Sequence, residues 1–144
     1  MNTYRSQVAA EVKGFRPEIY LDGRKVEKTD RSAQFALTAA KMAIEDAGID
    51  FTGAERYRSG VCIGSGTGGM IVGERQLTAL YHHATAHKVH PNFIPMNTMN
   101  APSGQIAIEW GLNGPNLTIA TACSSGAHAI GQAMNLIRGG QAEV

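Results

Sequence analysis

Cys123 stands where an apolar, β-branched run, Leu117 to Thr121, gives way to the small residues Ser124, Ser125 and Gly126, which open a helical pattern. A thiol at a helix N-terminus meets unpaired backbone N–H groups and the positive end of the macrodipole. That setting favours the thiolate, the nucleophilic form. It also offers donors to an oxyanion forming beside the sulfur. The chemistry that fits is acyl transfer, with the acyl group carried as a thioester. Cys62 lies inside an apolar strand pattern and reads as a small core residue. His128 follows Cys123 by five residues, an offset that does not set it over the sulfur as a base; it reads as a structural histidine packed behind the nucleophile.

Two further groups of residues invite a chemical reading. Gly64, Gly66 and Gly69 satisfy G-x-G-x-x-G between a strand pattern and a helix pattern, the arrangement that cradles a dinucleotide. That fingerprint also needs an acidic residue about 20 positions on. Tyr81 to Ala84 contain none, and Glu74 comes too early. The preferred reading is a tight glycine turn that lets backbone pass close to a neighbouring site. His82, His83, His87 and His90 form a cluster, with His83 and His87 at i, i+4. No third ligand accompanies them, so no metal is expected.

The positioning elements follow from periodicity. The first 29 residues are poorly patterned, with Val8 to Val12 and Ile19 to Leu21 as an edge strand and a loop. Asp30 reads as an N-cap to a helix with Phe35, Ala39, Ala43 and Ala47 at helical spacing and Gly48 as its stop. Val61 to Ile63 predicts a strand, and Gly73 to Ala86 a helix with Leu77, Leu80 and Tyr81 on one face. After a loop from His87 to Pro95, Asn97 to Trp110 predicts a helix ending near Gly111. Asn113-Gly114-Pro115 is a turn, and Leu117 to Thr121 a buried strand. A final helix, Ser124 to Arg138, is apolar on most sides and so is expected to be buried in a larger body. Gln141 to Val144 then reads as the approach to another strand, as in one part of something longer. Alternation of strands and helices gives an α/β class.

Composition bounds the function. With 144 residues, 43% hydrophobic and 17% charged, the chain has a globular balance and length for one core. A net charge of +1 offers no basic surface for nucleic acid or anionic membrane. No apolar run approaches a membrane span, and the first five residues do not lead into a signal-peptide core. Two cysteines give no disulfide framework, so a cytoplasmic location is expected.

Thr121-Ala122-Cys123-Ser124-Ser125-Gly126 resembles the nucleophile motif of the elongating β-ketoacyl-acyl-carrier-protein synthases. Three more segments resemble that family in the same order: Ile63-Gly64-Ser65-Gly66 with Gly68-Gly69, Pro91-Asn92-Phe93-Ile94-Pro95, and Gly111-Leu112-Asn113-Gly114-Pro115. The resemblance runs from about Tyr4 to Val144 and is to the type II, dissociated branch, of fatty-acid or polyketide synthesis. It implies a thiolase-like layered αβαβα fold, with residues 4–144 forming most of its first half. The opening strand and the C-terminal half, which brings two histidines, a lysine and an oxyanion N–H, are expected to lie outside.

On this resemblance, Cys123 takes an acyl chain from acyl carrier protein and its own N–H is one oxyanion donor. Malonyl carrier protein then loses carbon dioxide, and the resulting carbon attacks the thioester. Thr67 matches a position lining the acyl tunnel, and Phe93 one that reaches into the partner subunit's tunnel. A homodimer is implied, paired through the strand before Cys123, with no cofactor. These 144 residues alone are expected at most to be acylated and not to complete condensation. Two rivals stay open: a non-catalytic partner subunit that binds acyl carrier protein, and a nucleotide-binding α/β domain using the glycine run.

Overall fold

The computed structural model describes residues 5–82 and 89–144. A short helix and a long one come early in the chain. α1, Gly23–Glu27, is capped by the Asp22 carboxylate, which accepts from Lys25 N at 2.9 Å. The sequence pattern does not predict it; a helix of five residues with no buried side chain leaves no periodicity to read. α2, Arg31–Ala47, begins where expected, with Asp30 accepting from Ser32 N at 2.8 Å, and ends at left-handed Gly48, φ 62°. Its buried face is Ala33, Gln34, Leu37 and Thr38, not the Phe35–Ala39–Ala43–Ala47 stripe, whose alanines face outward. Val8 and Val12 are exposed, and the expected edge strand is a segment that pairs with no strand among the described residues. Phe15 anchors it, stacking 4.4 Å from Phe35 beneath the Arg31 guanidinium.

β1, Val61–Gly64, pairs in parallel with β2, Asn116–Ile119, in the register Val61↔Asn116 to Gly64↔Ile119. Between them lie α3, Met70–His82, α4, Phe93–Asn97, and α5, Ala101–Trp110. The helix expected from Asn97 to Trp110 begins only at Ala101, with Pro102 in its first turn where the missing N–H costs nothing; α4 instead falls largely in the expected loop and ends before extended Thr98. Gly111 closes α5 at φ 63°. The expected continuation of α3 to Ala86, the His83–His87 pair and Tyr4 lie outside the described residues. On α3, Leu77, Leu80 and Tyr81 are exposed, and the helix docks through Gly73 against the Asn97 side chain.

The two strand faces diverge in role. Val61 and Ile63 join Leu21, Leu37 and Ile106 in the core beneath α2 and α5. Cys62 and Gly64 face the other way, toward α6, Ser125–Arg138. The result is a helix layer, a parallel sheet and a second helix layer. β2 is more open than expected: Leu117 is 37% exposed, since the strand is paired only to β1 among the described residues. α6 likewise buries only Ser125, Ala129 and Leu136, while Ile130 is 75% exposed and Met134 and Ile137 are exposed too. Beyond Gly140, Glu143 N donates to Arg58 O at 2.7 Å and Gly60 N to Val144 O at 2.9 Å. These bonds hold the segment beside the residues that lead into β1.

Candidate active site

β2 ends at Ile119, and within three residues the chain has turned into a 3₁₀ turn, Ala122–Ser124, that runs straight into α6. Cys123 occupies the middle of that turn and is exposed, one step earlier than the helical start its sequence setting suggested. The turn requires Ala122 at φ 52°, the one non-glycine residue with positive φ among the described residues. A left-handed alanine costs about 1–3 kcal/mol and persists only where its surroundings enforce it.

The enforcement comes from hydroxyls. Ser125, 4% exposed, accepts from Thr121 N at 2.9 Å and donates to Ala122 O at 2.7 Å, bracing both sides of the strained residue. Ser124 donates its hydroxyl to Thr121 O at 2.7 Å, and its N–H reaches the same carbonyl at 3.2 Å. Thr121 Oγ1 and His128 Nδ1 share a hydrogen bond of 2.7 Å. His128 is therefore not packed behind the nucleophile as expected; it is exposed, and its partner is Thr121. Neither Thr121 nor Ser125 stands out in the sequence by itself. The available signal is hydroxyls on both sides of a cysteine, which favour local side-chain bonds over a regular helix start.

The glycine run reaches this turn from the other strand. A Cβ on Gly64 would lie 2.5 Å from Gly126 N and against the Ser125 backbone, so β1 can approach the start of α6 only as glycine. Ser65 N then donates to Ile119 O at 3.0 Å. Gly68, at φ 62°, packs on Met99, and Gly69 on the Met96–Asn97 backbone. Gly64, Gly68 and Gly69 thus admit protein backbone, as the close-approach reading expects, while Gly66 has nothing within 4 Å of an added Cβ.

Thr67 is exposed on the outer side of this turn. It lines one cleft with Met70, Glu74, Leu77 and Asn97 and a second with Arg31, Phe35 and Ile71. Phe93 is half-buried at the start of α4, its N–H held by His90 O at 2.9 Å. Cys123 lines neither of these two clefts, and the Gly64 end of the run packs against Ser125 and Gly126, just after it. Burial raises the pKa of the Cys62 thiol above its ordinary value of 9.0; the residue is half-buried and lies outside the core cluster of Leu21, Leu37, Val61 and Ile106. Among the described residues, no three His, Cys, Asp or Glu side chains gather as metal ligands.

The family model described as the N-terminal domain of beta-ketoacyl synthase matches residues 2–144. The chain is 41% identical over 136 residues to the 3-oxoacyl-[acyl-carrier-protein] synthase 2 of Coxiella burnetii, covering 94% of this chain and 33% of that protein. It is 36% identical over 140 residues to the Staphylococcus aureus protein of the same name, covering 97% of this chain and 34% of that one. The chain thus spans about a third of the length of these curated relatives. Among solved structures, a type II polyketide ketosynthase bound to its acyl carrier protein and a hexaketide superposes with a TM-score of 0.84 at 25% identity, covering 91% of this chain and 38% of that one. The ishigamide ketosynthase/chain length factor superposes with a TM-score of 0.77 at 30% identity, covering 91% of this chain and 37% of that one.

Proposed function

Because this chain belongs to the β-ketoacyl synthase family and carries its N-terminal domain, we propose that residues 4–144 supply the nucleophile of a condensing acyltransferase in fatty-acid or polyketide synthesis. The observation that carries this is Cys123, exposed at the tip of a braced strand-to-helix turn. The Cys123 thiolate attacks the thioester carbonyl of an acyl-loaded carrier protein. The tetrahedral oxyanion collapses, the carbon–sulfur bond to the carrier breaks, and the carrier thiolate leaves and takes up a proton. Malonyl carrier protein then loses carbon dioxide, and its nucleophilic carbon attacks the Cys123 thioester. The cysteine thiolate leaves, and the β-ketoacyl product is two carbons longer.

In this reading the backbone N–H of Cys123 serves the oxyanion. Thr67 lines the acyl tunnel, and Phe93 reaches toward that of a second subunit. The exposed edge of β2 pairs with its counterpart across a two-fold axis. The name of one relative supports a carrier-protein partner: that ketosynthase was solved with its acyl carrier protein. The location is cytoplasmic, supported by two free cysteines; no helix among the described residues is long and apolar enough to cross a membrane.

The test is incubation with acyl-loaded carrier protein, followed by mass mapping. The acyl group is expected on Cys123 and absent in Cys123→Ala. A non-catalytic partner subunit would instead bind carrier protein equally well before and after the substitution and take up no acyl group.

A further inference from the structure

We propose that His128 is a positioning residue for the Cys123 nucleophile, acting through Thr121 to hold Ala122 in its left-handed conformation. The inference rests on the reading of Cys123 as the acyl acceptor. Thr121 is the last residue before the strained one, and Ser124 together with the first turn of α6 fastens its N–H, carbonyl and side chain. Ser125 and Ser124 bond its backbone groups, and the Ser124 hydroxyl also reaches the Thr121 hydroxyl at 3.2 Å. Only His128, a full turn further along α6, reaches its hydroxyl from outside the turn itself. Without that tie, the Thr121 hydroxyl keeps only the longer Ser124 contact of 3.2 Å, and Ala122 is less firmly held out of the ordinary helical region, which lies close in energy and suits alanine better. Cys123 would then sample orientations other than the presented one. The imidazole has no role at the sulfur; its effect is on the geometry of the turn.

The experiment measures the second-order rate of Cys123 alkylation by iodoacetamide, read by peptide mass, alongside acyl uptake from carrier protein. His128→Ala should slow alkylation by about two- to tenfold, the range one hydrogen bond supports. His128→Asn, whose amide can stand where Nδ1 stands, should restore it. Ala122→Gly in the His128→Ala background should also restore it, because glycine takes positive φ without strain. Should His128→Ala not fold, Thr121→Val against Thr121→Ser reads the same bond. A folded His128→Ala chain alkylated at the wild-type rate would overturn the proposal. So would a slowed rate that neither the His128→Asn change nor the added glycine corrects. Failure of wild-type Cys123 to accept an acyl group, with alkylation still responding to His128, would strike the proposed function and leave the positioning role standing.

Discussion

Gly64 and Ser125 meet backbone to backbone: the last residue of β1 lies where any side chain would run into the first residue of α6. The contact joins the glycine run to the helix that follows Cys123, far apart in sequence but one van der Waals layer apart in space. Ser125 is also the hydroxyl that braces Ala122. Gly64→Ala should therefore do more than crowd a core. The added methyl must push the α6 N-terminus away, at an overpacking cost of about 1–3 kcal/mol. The denaturation midpoint should fall by the corresponding amount, and alkylation of Cys123 should slow. Gly66→Ala, with nothing within 4 Å of its added carbon, should change neither by comparison.

Asp30 carries a second long-range tie. One carboxylate oxygen caps α2 at Ser32 N, and the other accepts from Val72 N in the first turn of α3, at 3.3 Å. The side chain is buried, so both helix starts depend on it. Asp30→Ala should destabilise the chain by about 1–2 kcal/mol for the lost α2 cap. Amide exchange at Val72 as well as at Ser32 should accelerate. Protection lost at Ser32 alone would mean that the bond to α3 contributes nothing.

These two ties show where sequence is legible and where it is not. Asp30 is readable as an N-cap because capping is local, and the glycine run is readable as a close-approach turn because so many small residues stand together. Neither reading can name the other side of the contact, Val72 or Ser125, because those pairings depend on how layers stack. The same limit explains the differences in burial. The apolar pattern of α6 is legible, yet Ile130 faces outward because the described residues pack one face of that helix only. On α2, a four-residue stripe drifts around the helix, so Ala39 and Ala43 fall off the face that Leu37 buries, and Leu37 is fully buried. The Cys123 turn is half legible. A thiol between strand and helix is plain, but the left-handed Ala122 gives no sign in the residue type.

The two cysteines should separate cleanly by pH. Burial holds the Cys62 thiol in its protonated form, with its pKa above 9.0. An unfolded chain would ionise that thiol first, so its neutral burial favours the folded state at lower pH and that contribution fades as pH rises past 9 toward the folded value. Alkylation near pH 8 should mark Cys123, which is exposed, and spare Cys62, which lies between β1 and α6 beside Ala133 and Leu136. Labelling of Cys62 should grow only in more alkaline solution. Equal labelling of both at pH 8 would show that the α6 packing over β1 opens readily.

The open edge of β2 gives the last expectation. Val61 N donates to Pro115 O at 2.8 Å and Ser65 N to Ile119 O at 3.0 Å, so backbone groups at alternate positions between them point away from β1. Such an edge, with Leu117 only partly covered beside it, is a template for another strand, and proteins that keep such an edge unpaired commonly place charge on it. Here Asn116, Leu117, Thr118 and Ile119 carry none. Self-association through this edge would set two Cys123 turns close to one two-fold axis, because Ile119 and Cys123 are only four residues apart. Leu117→Lys should then convert a dimer to a monomer by light scattering while the helical circular-dichroism signal is retained. A dimer that survives both this substitution and Thr118→Pro, which removes an outward N–H, would place the contact on another surface.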